Sequence, residues 1–331
     1  MKLVLFPLAV ALAFTCVVAP SSASGLFKKK EPQIAPRPDP KNLNTVLRVQ
    51  IYLDSQYFPP GKIDGALGEF TDKAVANYNL AFGDAPDNWY RVIHYSSRHV
   101  KDLLTEYQIK QGDLNFVDGT IPLEPSEQEG VKYMAYRSLK EFVSERYHTD
   151  ETFLGKMNPG MNLNALKPGD VIKVPNVQPF VIEDVPKLSK YDEEAKLSKR
   201  HVYIDTTERL ARVYEGRRIV AAFPITPGQE KFIPRGQWSI VNMVSTPVFR
   251  WDKQMLEEGV RGDEAFEIPP GPNNPVGIVW AGLSKSGIGL HGTNSPRTIG
   301  RSRSAGCVRF ANWDIIRLTN VVRPGAKVTV Y

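Results

Sequence analysis

The chain has 331 residues, 42% of them hydrophobic and 24% charged, which is enough for two or three domains with their own cores and excludes a chain disordered throughout. The formal net charge of +6 gives a modest field that favours anionic surfaces without naming one. Residues 200–331 carry eighteen Lys or Arg against eleven Asp or Glu, so acidic substrates are drawn toward the C-terminal part.

The N-terminus combines Lys2, an apolar run from Leu3 to Val18 and the small residues Ser21-Ser22-Ala23. These are the three parts of a secretory signal, expected to be cleaved after Ala23 and too short for a permanent membrane span. Export makes nucleic acid a poor partner and implies a periplasmic or cell-envelope location without an integral membrane span. Cys16 leaves with the signal; a lipoprotein reading of it is the alternative, although Phe14-Thr15 is a poor context for lipidation. The mature chain then holds one cysteine, Cys307, which in an oxidising compartment is either catalytic or a buried structural thiol.

Lys28 to Lys30, then Pro32, Pro36, Pro38 and Pro40, read as a proline-stiffened linker over 24–41. A first block follows at 42–83. Leu43, Val46, Leu47, Gln50 and Ile51 keep helical spacing, and Phe70 to Leu80 form a second amphipathic run with Thr71 as its expected N-cap. The turn Lys62-Ile63-Asp64-Gly65, followed by Thr71 and Ala74-Val75, resembles the helical peptidoglycan-binding-like module, with Tyr78-Asn79 where that module usually closes in Phe-Gln. A helical spacer that binds nothing is the other reading.

A second block spans 105–176. Tyr107-Gln-Ile-Lys-Gln-Gly-Asp113 is similar to the opening strand and turn of a LysM module. Two short helices follow with Leu139, Phe142 and Val143 on one face, and Pro168-Gly-Asp170 turns into a strand from Val171 to Val174. About twenty extra residues separate the first strand from the first helix, by the usual economy of loops an insertion. The resemblance implies a small α+β module with glycan as its ligand. His94, His99, His148 and His201 show no constellation in sequence and read as packed or solvent-facing side chains. Residues 177–199 mix prolines with charges and read as a solvated linker. Neither N-terminal block holds a nucleophile with a base, so both are expected to localise the enzyme, and a chain starting near Lys199 is expected to keep activity.

From 200 to 331 the sequence alternates in short β-like runs, HVYID, LARVYEG, RIVAAFPIT, GQWSIV and AKVTVY, separated by turn residues. An all-β sandwich or open barrel is expected. Within it lies HGTNSPRTIGRSRSAGCVR, from His291 to Arg309. Two strands joined by a loop would bring His291 to Cys307, where imidazole takes the thiol proton and returns it to a leaving amine. The Gly292 carbonyl would orient the other ring nitrogen, the third-member role of a catalytic triad. Backbone N–H groups of Gly306 and Cys307 are the expected oxyanion hole. Arg309 would depress the thiol pKa or pair a substrate carboxylate, with a surface salt bridge as the alternative, Ser304 would hydrogen-bond near the base, and Arg297, Arg301 and Arg303 read as a solvated cationic rim, with substrate capture as the other reading. Asn312 is the expected cap of a helix beginning at Ala-Asn-Trp-Asp314, and Trp280 and Tyr203 read as core, with the lining of a groove as the alternative. Nothing has the spacing of a metal site or a phosphate-cradling loop, and no cofactor is expected.

The His-Gly-Thr to Ser-x-Gly-Cys-x-Arg signature resembles the YkuD-type L,D-transpeptidase catalytic domain, with Ala305 where many members carry histidine. The resemblance implies a multidomain protein with a mainly-β YkuD-type catalytic domain behind a small helical and a small α+β module. Its implied substrate is a peptidoglycan stem peptide. A cysteine thioester formed with loss of D-alanine would pass to a second stem as a 3→3 cross-link, or to a wall-attached protein. Hydrolysis of the thioester, making the enzyme a carboxypeptidase, and a non-catalytic wall-binding role are the alternatives.

Overall fold

The computed structural model describes residues 33–187, 191–302 and 306–331. The export signal read over 1–23, Cys16, the Lys28 to Lys30 part of the linker, and Arg303, Ser304 and Ala305 lie outside the described residues.

Residues 34–331 form one compact unit. Its first helices are α1 (Leu43–Ser55), α2 (Glu69–Ala81) and α3 (Tyr90–His99). Asn42 caps α1 by accepting from the Thr45 N–H at 3.2 Å, as a side-chain oxygen at that position does. Thr71 does not cap α2: Gly68 holds the cap position, and Thr71, buried on the third residue of the helix, accepts instead from the Gln50 amide at 3.2 Å. Gln50 also accepts from the Gly65 N–H at 2.8 Å, so one buried amide organises the KIDG turn. Helix α3 extends the bundle beyond the expected boundary at 83.

The second block is framed by strands β1 (Leu104–Gln108) and β2 (Val171–Pro175), paired antiparallel. Between them come the short α4 (Pro125–Gln128), then α5 (Leu139–Arg146) and α6 (Glu151–Met157). Ser138 and Asp150 cap the last two, accepting from Glu141 and Phe153 N–H groups at 3.1 and 2.7 Å. Leu139, Phe142 and Val143 are buried as their spacing predicts. The insertion is folded: Ile121, Met134 and Ala135 pack with Ile268 in a satellite core.

The C-terminal strands are β3 (His201–Asp205), β4 (Leu210–Glu215), β5 (Arg218–Pro224), β6 (Gly236–Ser245), β7 (Phe249–Trp251), β8 (Phe266–Ile268), β9 (Val279–Leu283), β10 (Gly289–His291), β11 (Val308–Arg309) and β12 (Lys327–Val330). Helix α7 (Lys253–Glu258) follows β7, and α8 (Asn312–Thr319) follows β11. Eight of these strands make one sheet in the order β11-β10-β9-β6-β12-β3-β4-β5, and β7 and β8 pair separately, so the region is the mainly-β fold that the alternating runs predict. The C-terminal strand β12 lies in its middle, parallel to β3 and antiparallel to β6. β10 and β11 occupy one end.

One continuous core runs from Leu47 to Val330 through every block. Described residues of 177–199 take part in it. Phe180, Ile182, Val185 and Tyr191 are buried, Phe180 donates its N–H to the Arg146 carbonyl at 2.8 Å, and Tyr191 donates to Met243 at 3.3 Å. Among its described residues the segment is thus anchored in the core at these positions and exposed over 192–196, where a solvated linker was expected throughout. At the far edge of the sheet the Tyr57 ring meets Phe223 edge-on at 6.5 Å, and Ala222 on β5 donates to the Tyr57 carbonyl at 3.0 Å.

Candidate active site

The histidine strand and the cysteine strand are direct neighbours. β10 and β11 pair in parallel, Leu290 opposite Val308 and His291 opposite Arg309. Cys307 sits in the bend that leads directly into β11, so this pairing brings the cysteine segment alongside the strand that ends in His291. Two residues sixteen positions apart in sequence are thereby brought to one end of the sheet.

His291 is buried, with 4% of its surface exposed. Its Nδ1 lies 2.6 Å from the Gly292 carbonyl oxygen. A carbonyl can only accept, so Nδ1 carries the proton and Nε2 carries the lone pair. The ring stacks on Trp280 of β9 with centroids 5.6 Å apart and planes 18° from parallel. The same indole lies over Gly289, where an added Cβ would meet its ring at 2.7 Å. Trp280 is therefore half-buried beside His291, which fits the groove-lining alternative better than a core position. Tyr203 is likewise only half-buried, stacked on His201 at 4.1 Å.

Cys307 is partly exposed. Its sulfur lies 3.7 Å from the Gly287 carbonyl and receives a backbone hydrogen bond from Gly289. Burial pushes the thiol up to about 11 against the pull of that bond and of Arg309. Burial and the Arg309 charge together push His291 down to about 3. At neutral pH the pair is an uncharged thiol and an uncharged imidazole. Arg309 is half-buried, and its Nε has no hydrogen-bond partner among the described residues. Burial lowers its own pKa, against the pull of Cys307, as expected for a desolvated cation.

Gly306 is buried beneath the segment after β5. Thr226 and Arg309 exchange backbone bonds of 2.9 Å, and a Cβ on Gly228 would lie 2.6 Å from the Gly306 Cα. Arg297 and Arg301 are exposed on the connecting loop. Phe70 of α2 presses on that loop, filling the space a Cβ on Gly300 would take, and Arg209 bridges the Gly300 carbonyl at 2.7 Å to Glu69 at 2.6 Å.

Asn312 is not the helix cap. Ala311 holds that position, and Asn312, fully buried as the first helical residue, turns its amide toward the histidine loop, accepting from Thr293 at 3.2 Å and Ile278 at 3.3 Å. His148, read as lacking a partner, is buried against Asp54, with Nδ1 3.2 Å from both carboxylate oxygens, and stacks on Trp313 at 5.5 Å. Sequence reading missed the stacking of Trp280 on His291, the bonds from Asn312 to the histidine loop and the Asp54–His148 pair. Gly289 was the available signal for Trp280, since a glycine two positions from His291 makes room for a large ring on the neighbouring strand.

Residues 199–330 match the family described as the YkuD L,D-transpeptidase catalytic domain. The YkuD protein of Bacillus licheniformis is 28% identical over 191 residues, 57% of this chain and 92% of its own length. YbiS of Escherichia coli K12 is 26% identical over 193 residues, 57% of this chain and 58% of its own. Both bear L,D-transpeptidase names. A solved L,D-transpeptidase from Mycobacterium smegmatis aligns over 40% of this chain and 58% of its own, at 18% identity and a TM-score of 0.32.

Proposed function

From the premise that residues 199–330 are a YkuD-type L,D-transpeptidase catalytic domain, we propose that the protein is an exported peptidoglycan L,D-transpeptidase that forms 3→3 cross-links through a thioester on Cys307. The observation that carries this reading is the 2.6 Å contact between His291 Nδ1 and the Gly292 carbonyl. It leaves the lone pair on Nε2, free to act as a base toward the thiol of the neighbouring cysteine segment.

In the proposed reaction His291 Nε2 accepts the thiol proton as Sγ attacks the carbonyl carbon of the third stem residue. Charge develops on the carbonyl oxygen, toward which the Gly306 and Cys307 N–H groups are the natural donors. Collapse breaks the amide bond, and the imidazolium returns the proton to the departing D-alanine amine. The side-chain amine of a second stem then attacks the thioester, again losing its proton to His291, and the thiol is regenerated. Arg309, a cation without a hydrogen-bonded anion at its Nε, suits the donor's carboxylate. Ser304 is assigned near the base by the motif alone. No step calls for a metal or organic cofactor.

Incubation of the mature protein with purified muropeptides, followed by mass analysis, tests this. Wild type is expected to produce 3→3 dimers, and Cys307→Ser and His291→Ala are each expected to lower turnover by several orders of magnitude, as for other nucleophile and base units. Trimming of stems without dimers would make the enzyme a carboxypeptidase. Cross-linking by Cys307→Ser would refute the thioester.

A further inference from the structure

We propose that Glu145, on α5 outside the catalytic block, is a positioning residue that holds the Gly292–Thr293 turn through Asn312 and so keeps His291 in its base tautomer. The inference rests on the thiol–imidazole reading above.

The contacts form an uninterrupted chain. Glu145 Oε1 accepts from the Tyr136 hydroxyl at 2.8 Å and from Asn312 Nδ2 at 2.9 Å. The same Asn312 amide donates to the Pro272 carbonyl at 3.2 Å. Its oxygen accepts from Thr293 and Ile278 at 3.2 and 3.3 Å. Thr293 adjoins Gly292, whose carbonyl takes the His291 proton. The fit is tight: a Cβ on Gly277 or on Gly292 would each come within 2.2 Å of the Asn312 oxygen. With Asn312 and Glu145 at 0% and 5% exposure, water cannot replace a lost partner. A buried amide stripped of its acceptor keeps the full desolvation penalty and rotates or shifts to relieve it, carrying the Thr293 N–H with it.

Burial pushes the Glu145 carboxyl up to about 8, against the Asn312 and Tyr136 bonds and with the neighbouring Glu141. Near neutrality it is mainly the uncharged acid, of which glutamine is a close isostere. An acceptor at this place is what matters, so the conservative variant discriminates positioning from charge.

The test is the rate of Cys307 alkylation by iodoacetamide in the full-length protein, followed by intact mass across neutral to alkaline pH, with circular dichroism as the fold check. Assistance by His291 gives a plateau at neutral pH, whereas unassisted thiol reactivity climbs with pH toward the thiol pKa. Glu145→Leu is expected to lower the neutral plateau about tenfold, toward the profile of His291→Ala, and Glu145→Gln to stay within about twofold of wild type. Should Glu145→Leu not fold, Glu145→Met, which keeps the length of the side chain and removes the acceptor, takes its place and is expected to show the same loss. A Glu145→Leu or Glu145→Met profile that overlays wild type, or a Glu145→Gln loss equal to theirs, would overturn the proposal while His291→Ala still abolishes the plateau. If His291→Ala itself leaves the profile unchanged, the thiol–imidazole reading fails and this inference fails with it.

Discussion

Cys307 and His291 are both pushed toward their uncharged forms, the thiol up to about 11 and the imidazole down to about 3, in each case by burial first. Between those values the resting pair holds one proton on sulfur and none on Nε2, and proton transfer accompanies attack. Acylation of Cys307 by a β-lactam of the penem type is therefore expected to show no fall as pH drops through the ordinary histidine range near 6.5, because His291 stays neutral there. A step in the acylation rate centred near 6.5, read by intact mass, would show an imidazole that titrates normally. The proposed nucleophile and base were legible in the sequence because Cys307 is the one cysteine beyond the apolar N-terminal run and His291 is a glycine-flanked histidine close before it. The bond between Glu145 and Asn312 was not, since a buried acid 167 positions from its partner carries no local pattern in sequence.

Among the elements, strands were the most legible, because alternation of apolar and polar residues is set by the pleat and survives any topology. All five β-like runs of the C-terminal block are strands. Their joining into one sheet depends on β12 entering beside β3 and β6, a long-range pairing that alternation cannot encode. Caps failed where a tertiary partner outbid the helix end, as Gln50 does at Thr71 and Glu145 at Asn312. The loop before β9 shows the same dominance of long-range contact. Gly271 has φ +145°, and a Cβ there would lie 2.4 Å from the Met134 carbonyl oxygen, between the bonds from Met134 to Pro270 and from Asn273 to Met134. Backbone cannot yield as a flexible side chain does. Gly271→Ala is expected to cost about 1–3 kcal/mol, measured as a lower urea midpoint at unchanged slope; an unchanged midpoint would show that the loop and the second block part freely.

At the scale of the molecule, the expectation of detachable modules does not fit the packing. Asp54 of α1 is bound by His148 of the second block and by Arg317 of α8 at 2.9 Å, all three buried or nearly so. Burial works against the Asp54 carboxylate, but Arg317 and His148 outweigh it and hold its pKa below the usual range. Its stabilising effect is therefore present above about pH 4, the unfolded carboxylate range, and is lost as pH falls through the folded value. Removing Asp54 leaves a buried guanidinium without its partner, and Asp54→Ala is expected to cost about 3–5 kcal/mol at neutral pH. Cutting the chain near residue 199 does this and more. It also uncovers Phe223 and Trp313 and takes away the acceptor of Asn312. The full chain from residue 34 is accordingly expected to unfold in a single calorimetric transition, with 199–331 alone melting far lower or failing to fold and reacting slowly with soluble stem peptides. A 199–331 fragment that melts with the full chain and matches its turnover would return the N-terminal blocks to the role of passive wall anchors.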